Sequence, residues 1–137
     1  MGSVSQGRGS VRRYVIIESA PRKVWDYIGE PDRLVEWFDG IVESSTSDNQ
    51  RTIKTRAGFS IPEEIVTCDR TQYRFQYKIV APFVRDHLST IDVFELGDER
   101  SLVSYSCDCD PATMALIIAG AGESALRNLK ALIENEG

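Results

Sequence analysis

The stretch from Thr71 to Val80 constrains the fold more than any other part of the chain. Tyr73, Phe75, Tyr77 and Ile79 alternate with Gln72, Arg74, Gln76 and Lys78. A period of two puts the apolar set on one side and the polar set on the other, the pattern of a half-buried antiparallel strand. A strand with one apolar face needs a second layer to cover it. The rest of the sequence supplies that layer and the neighbouring strands.

Val11 to Ser19 is rich in β-branched residues and reads as a first strand. Pro21 then sits where a first helical residue belongs, and Val24, Trp25, Tyr27 and Ile28 fall at helical spacing. Gly29 stops this helix. Pro31 opens a second, with Leu34, Val35, Trp37 and Phe38 on its apolar side. Strands are predicted over Ile41–Ser45, Arg51–Ala57, Ile61–Cys68, Thr71–Val80, Val84–Leu96 and Ser101–Asp108. Asp110 is the expected N-cap of a final helix running to about Asn135. Its expected apolar line is Met114, Ile118, Ala121, Ala125, Leu129 and Leu132. The order β-αα-ββββββ-α has no repeated parallel crossover, which excludes an open doubly wound sheet. It predicts an α+β fold: a curved antiparallel sheet of about seven strands, two short helices after the first strand, and a long C-terminal helix over a pocket.

At 137 residues the chain suits one domain, assigned to 11–137, and it can bury about two-thirds of its unfolded surface without a disulfide or metal. Residues 1–10 read as a flexible leader without the apolar core of a signal peptide. The net charge of −5 and the scattered Lys and Arg residues disfavour nucleic-acid binding. The longest strongly apolar run, Met114–Ala119, is too short to span a bilayer. Three cysteines, an odd number, predict free thiols and a cytoplasmic setting.

Ser19-Ala20-Pro21-Arg22-Lys23-Val24-Trp25-Asp26-Tyr27-Ile28 is similar to the "apxxVWxxi" opening of the SRPBCC superfamily. Asp32-Arg33-Leu34-Val35-Glu36-Trp37-Phe38 resembles its second motif, a helix ending in Trp before the next strand. The stretch Pro62–Asp110 resembles the polyketide-cyclase-like branch. That superfamily includes START domains, birch-pollen-allergen-like proteins and the plant abscisic-acid receptors, and the resemblance implies the helix-grip fold. It implies no single function, because members range from lipid carriers and hormone receptors to aromatase/cyclases. Resemblance to the receptors also implies that His87 and Glu63 face the ligand cavity.

The expected pocket residues are Glu63, Phe75, Tyr77, Ile79, His87, Ser89, Ile91, Tyr105, Met114, Ile117, Ile118 and Ala121. Glu63 and Glu64 are adjacent, so they point to opposite faces and cannot act as a carboxylate pair. An inward carboxylate is costly unless paired or wetted. His87 is the single histidine, which excludes a multi-His metal site. With Glu63 it is a weak candidate for an acid/base role. Cys107 and Cys109 share a strand face and read as buried thiols, with no metal or cofactor expected. Gly120-Ala121-Gly122 inside the helix implies either a kink or close packing.

Three functions are compatible with these residues. The favoured one is binding of a small hydrophobic molecule (a lipid, polyketide or aromatic metabolite) in the cavity between sheet and helix. The alternative is a cyclase/dehydratase-like enzyme using one acid/base there. The third is an interaction domain with a filled core. The expected partner is the small hydrophobic ligand, with no nucleic acid, no integral membrane contact, and a monomer or homodimer.

Overall fold

A computed structural model of the chain describes residues 7–136. The leader expected over residues 1–10 lies mostly outside that range, and Gly9 and Ser10 already pair in the first strand. β1 covers Gly9–Ile17, α1 Pro21–Ile28 and α2 Leu34–Trp37, with a 3-10 turn at Pro31–Arg33 between the helices. β2 (Ile41–Ser47), β3 (Gln50–Thr55), β4 (Ser60–Asp69), β5 (Arg74–Ile79), β6 (Asp86–Gly97) and β7 (Arg100–Asp110) follow, and α3 runs over Ala112–Asn135. Every neighbouring pair is antiparallel, in the order β1-β7-β6-β5-β4-β3-β2. The curved seven-stranded sheet, the two-helix insertion and the long last helix form the predicted α+β, helix-grip-like arrangement.

Alternation sets the two faces of the sheet. Phe75 and Tyr77 on β5, His87, Ser89, Ile91 and Val93 on β6, and Val103, Tyr105, Cys107 and Cys109 on β7 are all buried inward. On the outer face Arg74 makes two hydrogen bonds to Asp92, at 2.8 and 2.9 Å, and Gln76 donates to Thr90 at 3.0 Å. The β6–β7 turn has Asp98 and Glu99 at φ 47° and 58°, the type I′ pattern whose twist matches the strands it joins. β5 is shorter than its alternating pattern predicts. Asp69 Oδ1 accepts the N–H groups of Thr71 and Gln72, and Tyr73 turns at φ 59°, so pairing with β4 resumes only at Arg74.

The final helix departs from expectation in its rotation. It buries Ala115, Ala119, Gly122, Ala125, Leu126, Leu129 and Ile133. Ala121 and Leu132 face solvent, and Ile117 is 62% exposed. The reason is close approach to β1 and β7, which only the smallest side chains permit. A Cβ at Gly122 would lie 2.7 Å from the Tyr105 ring. Of the two readings of the glycine segment, close packing is the one that holds at Gly122. At Gly122 α3 therefore rests directly on the Tyr105 ring, and the pocket expected beneath this helix is filled there. Asp110 is also not a side-chain cap. β7 pairing continues to Asp110 opposite Asp86, and Pro111 takes the cap position without a side-chain hydrogen bond.

Candidate functional site

The strongest concentration of buried polar chemistry lies beneath the helical insertion. Register places Arg51 of β3 directly opposite Glu63 of β4. Both side chains are 3% exposed, and Arg51 Nε donates to Glu63 Oε1 at 2.7 Å. Arg51 Nη1 also donates to the carbonyl of Pro31 at 3.2 Å, which ties the insertion to the sheet. Its guanidinium lies over the Tyr77 and Phe75 rings, 5.0 and 5.3 Å from their centroids. Burial pushes the Glu63 carboxyl above its usual range, and the Arg51 charge opposes that shift.

Tyr77 and Tyr105 are brought together by β5, β6 and β7, and their hydroxyls are hydrogen-bonded. Burial, reinforced by the Glu63 charge, pushes the Tyr77 phenol up to about 12, and burial raises Tyr105 well above its usual value. Both are therefore protonated donors at neutral pH. Ser89 is fully buried on β6, opposite Tyr77 of β5 and Cys107 of β7. Its hydroxyl meets His87 Nε2 at 2.8 Å, while His87 Nδ1 accepts the Ile79 N–H at 2.8 Å. That backbone bond fixes the neutral tautomer with its proton on Nε2. Burial lowers the His87 pKa to about 4, against the pull of Asp86 and Asp108.

A small cavity of about 10 Å³ sits among these groups, the room of one water. Its walls are Tyr27, Ile28, Glu30, Pro31, Leu34, Trp37 and Phe38 from the insertion and the residues just after it, and Arg51, Phe75, Tyr77, Ile91 and Tyr105 from the sheet. Trp37 is 3% exposed, and its Nε1–H has no hydrogen-bond partner among the described residues.

The expected pocket residues divide on this geometry. Phe75, Tyr77, Ile91 and Tyr105 line the cavity. Glu63 faces inward behind Arg51, and His87 and Ser89 are buried behind the tyrosines. Ile79, Met114 and Ile118 are partly buried against the apolar clusters and do not line it. Ile117 and Ala121 are on the outside of α3 and belong to no internal pocket. The cover over the cavity is the α1–α2 insertion; α3 contributes no wall residue.

Sequence reasoning missed Arg51. A signal for it existed: Arg51 is two residues from the apolar Ile53, so it shares the inward face of β3. Trp37 and Phe38 were visible as the apolar side of the second helix, without a sign that they roof a cavity.

Cys107 and Cys109 are buried with Val84, Ala115 and Ala119 below the start of α3, and burial pushes the Cys107 thiol up to about 11. Cys68 is exposed. Among the described residues no three His, Cys, Asp or Glu side chains gather as metal ligands, and no helix is long and apolar enough to cross a membrane.

No curated protein matches the sequence. Among solved structures, the protein XoxI from Bacillus cereus is 25% identical and superposes with a TM-score of 0.86, covering 94% of this chain and 99% of its own. An uncharacterized protein from Bacillus thuringiensis is 25% identical with a TM-score of 0.83, covering 90% of this chain and 98% of its own. The di-domain ARO/CYC BexL from the BE-7585A biosynthetic pathway shares the fold at 13% identity and a TM-score of 0.78, covering 91% of this chain and 46% of its own. The family model described as polyketide cyclase / dehydrase and lipid transport matches residues 8–134, and the chain belongs to that family.

Proposed function

We propose that the protein binds a small, largely aromatic or apolar molecule between the α1–α2 insertion and the concave face of the sheet. The observation that carries this reading is the buried Arg51, paired with Glu63 behind it, in the wall of a largely aromatic and aliphatic cavity. Stability alone is a weak reason for such a pair, since apolar residues of similar volume often pack at equal or lower cost. A pair retained beside a cavity orients something polar. Membership of the family supports the same reading.

The cavity has room for one water, so a larger ligand enters only when the insertion lifts from the sheet. The insertion is suited to this. Its polar side-chain ties to the sheet are few among the described residues: Arg51 and Ser44 to the Pro31 carbonyl, Ser44 and Thr46 to Asp32, and the Cys68 thiol to the Gly29 carbonyl, with Tyr27 and the Trp37 carbonyl bonded to Glu136 and Asn128 of the C-terminal segment. The ligand's apolar surface would re-cover the sheet and helix faces that opening bares, at about 25 cal/mol per Å² buried.

The test is a panel of fatty acids and one- to three-ring aromatics, read by the indole N–H resonance of Trp37 and by thermal unfolding. At least one class should shift that resonance and raise the midpoint. A panel that moves neither leaves the filled-core interaction domain as the better account. The alternative of a reaction run by one acid/base finds less support at its two candidates. His87 has both ring nitrogens engaged behind the tyrosines, and Glu63 is held by Arg51.

A further inference from the structure

The outward face of α3 is apolar where a surface helix is normally polar. Between Asp110 and Glu123 the sequence has no ionisable residue, and Leu116 and Ile117 are 60% and 62% exposed. Thr113, Leu116, Ile117, Gly120 and Ser124 fall at i, i+3, i+4, i+7 and i+11, so they form one exposed stripe on the side away from the buried Ala115, Ala119 and Gly122. The β5–β6 loop borders this half of the helix. Its Val84 is buried with Ala115 and Ala119, and the neighbouring Phe83 is 43% exposed. Gly120 is a second anomaly, because glycine is among the costliest residues in a helix interior. Gly122 has its reason in the Tyr105 ring, but a Cβ at Gly120 would meet nothing within 4 Å. Nothing among the described residues asks for a glycine at that position. A second helix crossing there would ask for one, because a missing side chain lets two backbones come close.

We infer that this face is an interface between two copies of the chain, with α3 packed antiparallel on α3 about a two-fold axis passing between Ile118 and Ala119. A two-fold contact needs one patch that carries both a projection and the hollow that receives it. Leu116 and Ile117 project one helical turn from the gap left by Gly120 and Ala121, so this patch has both. In the antiparallel pair Ile117 of each copy lies over Gly120 of the other, and Thr113 meets Ser124. Charge selects that direction. A parallel pair would set Arg127 against Arg127 and Asp110 against Asp110. The antiparallel pair instead brings Arg127, whose side chain is 67% exposed, toward Asp110 of the other copy. A lipid bilayer suits the face less well. The chain's net charge is −5, and the cations beside the start of α3, Arg8 and Arg85, are engaged by Asp86 and Asp110. The cavity takes no wall residue from α3, so this inference is independent of the binding reading.

Sedimentation velocity of the whole chain over about 5 to 500 μM tests this. One helix face is a small interface, so the dissociation constant should be on the order of 10–100 μM, and the mass should rise from one chain toward two across the range. The double variant Leu116→Glu/Ile117→Glu should keep the one-chain mass throughout, and Gly120→Ala should weaken association several-fold. In urea at about 1 μM, where the copies are apart, the double variant should match the native midpoint and Gly120→Ala should raise it, because its methyl meets nothing in the single chain. A one-chain mass for the native protein at every concentration would overturn the inference, and flotation with phosphatidylglycerol vesicles then shows whether a bilayer takes the face instead. Association that survives the double substitution would also overturn it, since another surface would be responsible. The native chain decides even where a variant fails to fold. Raising its concentration should shift the amide resonances of Leu116, Ile117 and Gly120, and shifts confined to other elements would refute the assignment of this face.

Discussion

Removing one member of the Arg51–Glu63 pair should reveal an asymmetry that only burial explains. In Arg51→Met the Glu63 carboxylate loses its partner in a site 3% exposed. Breaking such a pair typically costs about 3–5 kcal/mol. A carboxylate has an escape: burial already pushes Glu63 upward, and without Arg51 nothing opposes that push. Its folded-state pKa then lies far above the unfolded value, so the folded state binds the extra proton. By linkage, the variant gains stability relative to the native chain as pH falls. The deficit should be full near pH 8 and shrink by about 1.4 kcal/mol for each pH unit below the variant's raised pKa, down to the lower pKa that Glu63 has beside Arg51 in the native chain. Glu63→Gln strands the guanidinium instead, which cannot shed its proton. Its deficit of similar size should stay flat over the same range. The double variant Arg51→Met/Glu63→Leu should lie closer to the native chain than either single. Urea unfolding followed by circular dichroism at pH 5, 6.5 and 8 measures all of this. If Arg51→Met costs less than about 1 kcal/mol at pH 8, or if both single variants share one pH dependence, the pair is not the desolvated ion pair described here.

Further perturbations test other parts of the structure. His87 has its pKa lowered to about 4, so the unfolded chain takes up the proton first as pH falls. The native protein should lose roughly 3 kcal/mol between pH 6.5 and 4, and His87→Gln should remove most of that slope in pH-dependent urea titrations. Gly122→Ala places a methyl 2.7 Å from the Tyr105 ring and should cost about 1–3 kcal/mol while shifting the Tyr105 ring resonances. Ile117→Ser should leave stability within about 0.5 kcal/mol, because Ile117 faces solvent. Ala119→Leu, one helical turn from Ala115 on the buried side, should destabilise by at least about 1 kcal/mol. Equal effects at 117 and 119 would mean that α3 is rotated from the orientation described.

Local chemistry explains which features were legible. The alternation through Phe75, Tyr77 and Ile79, the prolines at positions 21 and 31, and the polar turns each report on backbone within a few residues. They were sufficient for the element order and for the shared face of Phe75 and Tyr77, whereas the direction of His87 and Glu63 was implied by the resemblance to the receptors. The face of α3 was misjudged because periodicity weights large apolar residues such as Ile117 and Leu132. Contact with the sheet was decided by Ala115, Ala119 and Gly122, where hydropathy says little and backbone separation says much.

The linear order of residues alone determined the antiparallel meander, the helical insertion and the final helix, since each depends on near-neighbour periods and turn chemistry. Only the tertiary structure decided that Arg51 lies opposite Glu63, that Trp37 roofs the cavity, and that the insertion, rather than α3, covers it. Those are relations between segments far apart in the chain. They depend on strand register and on how closely two layers approach, and neither quantity is written in any one segment.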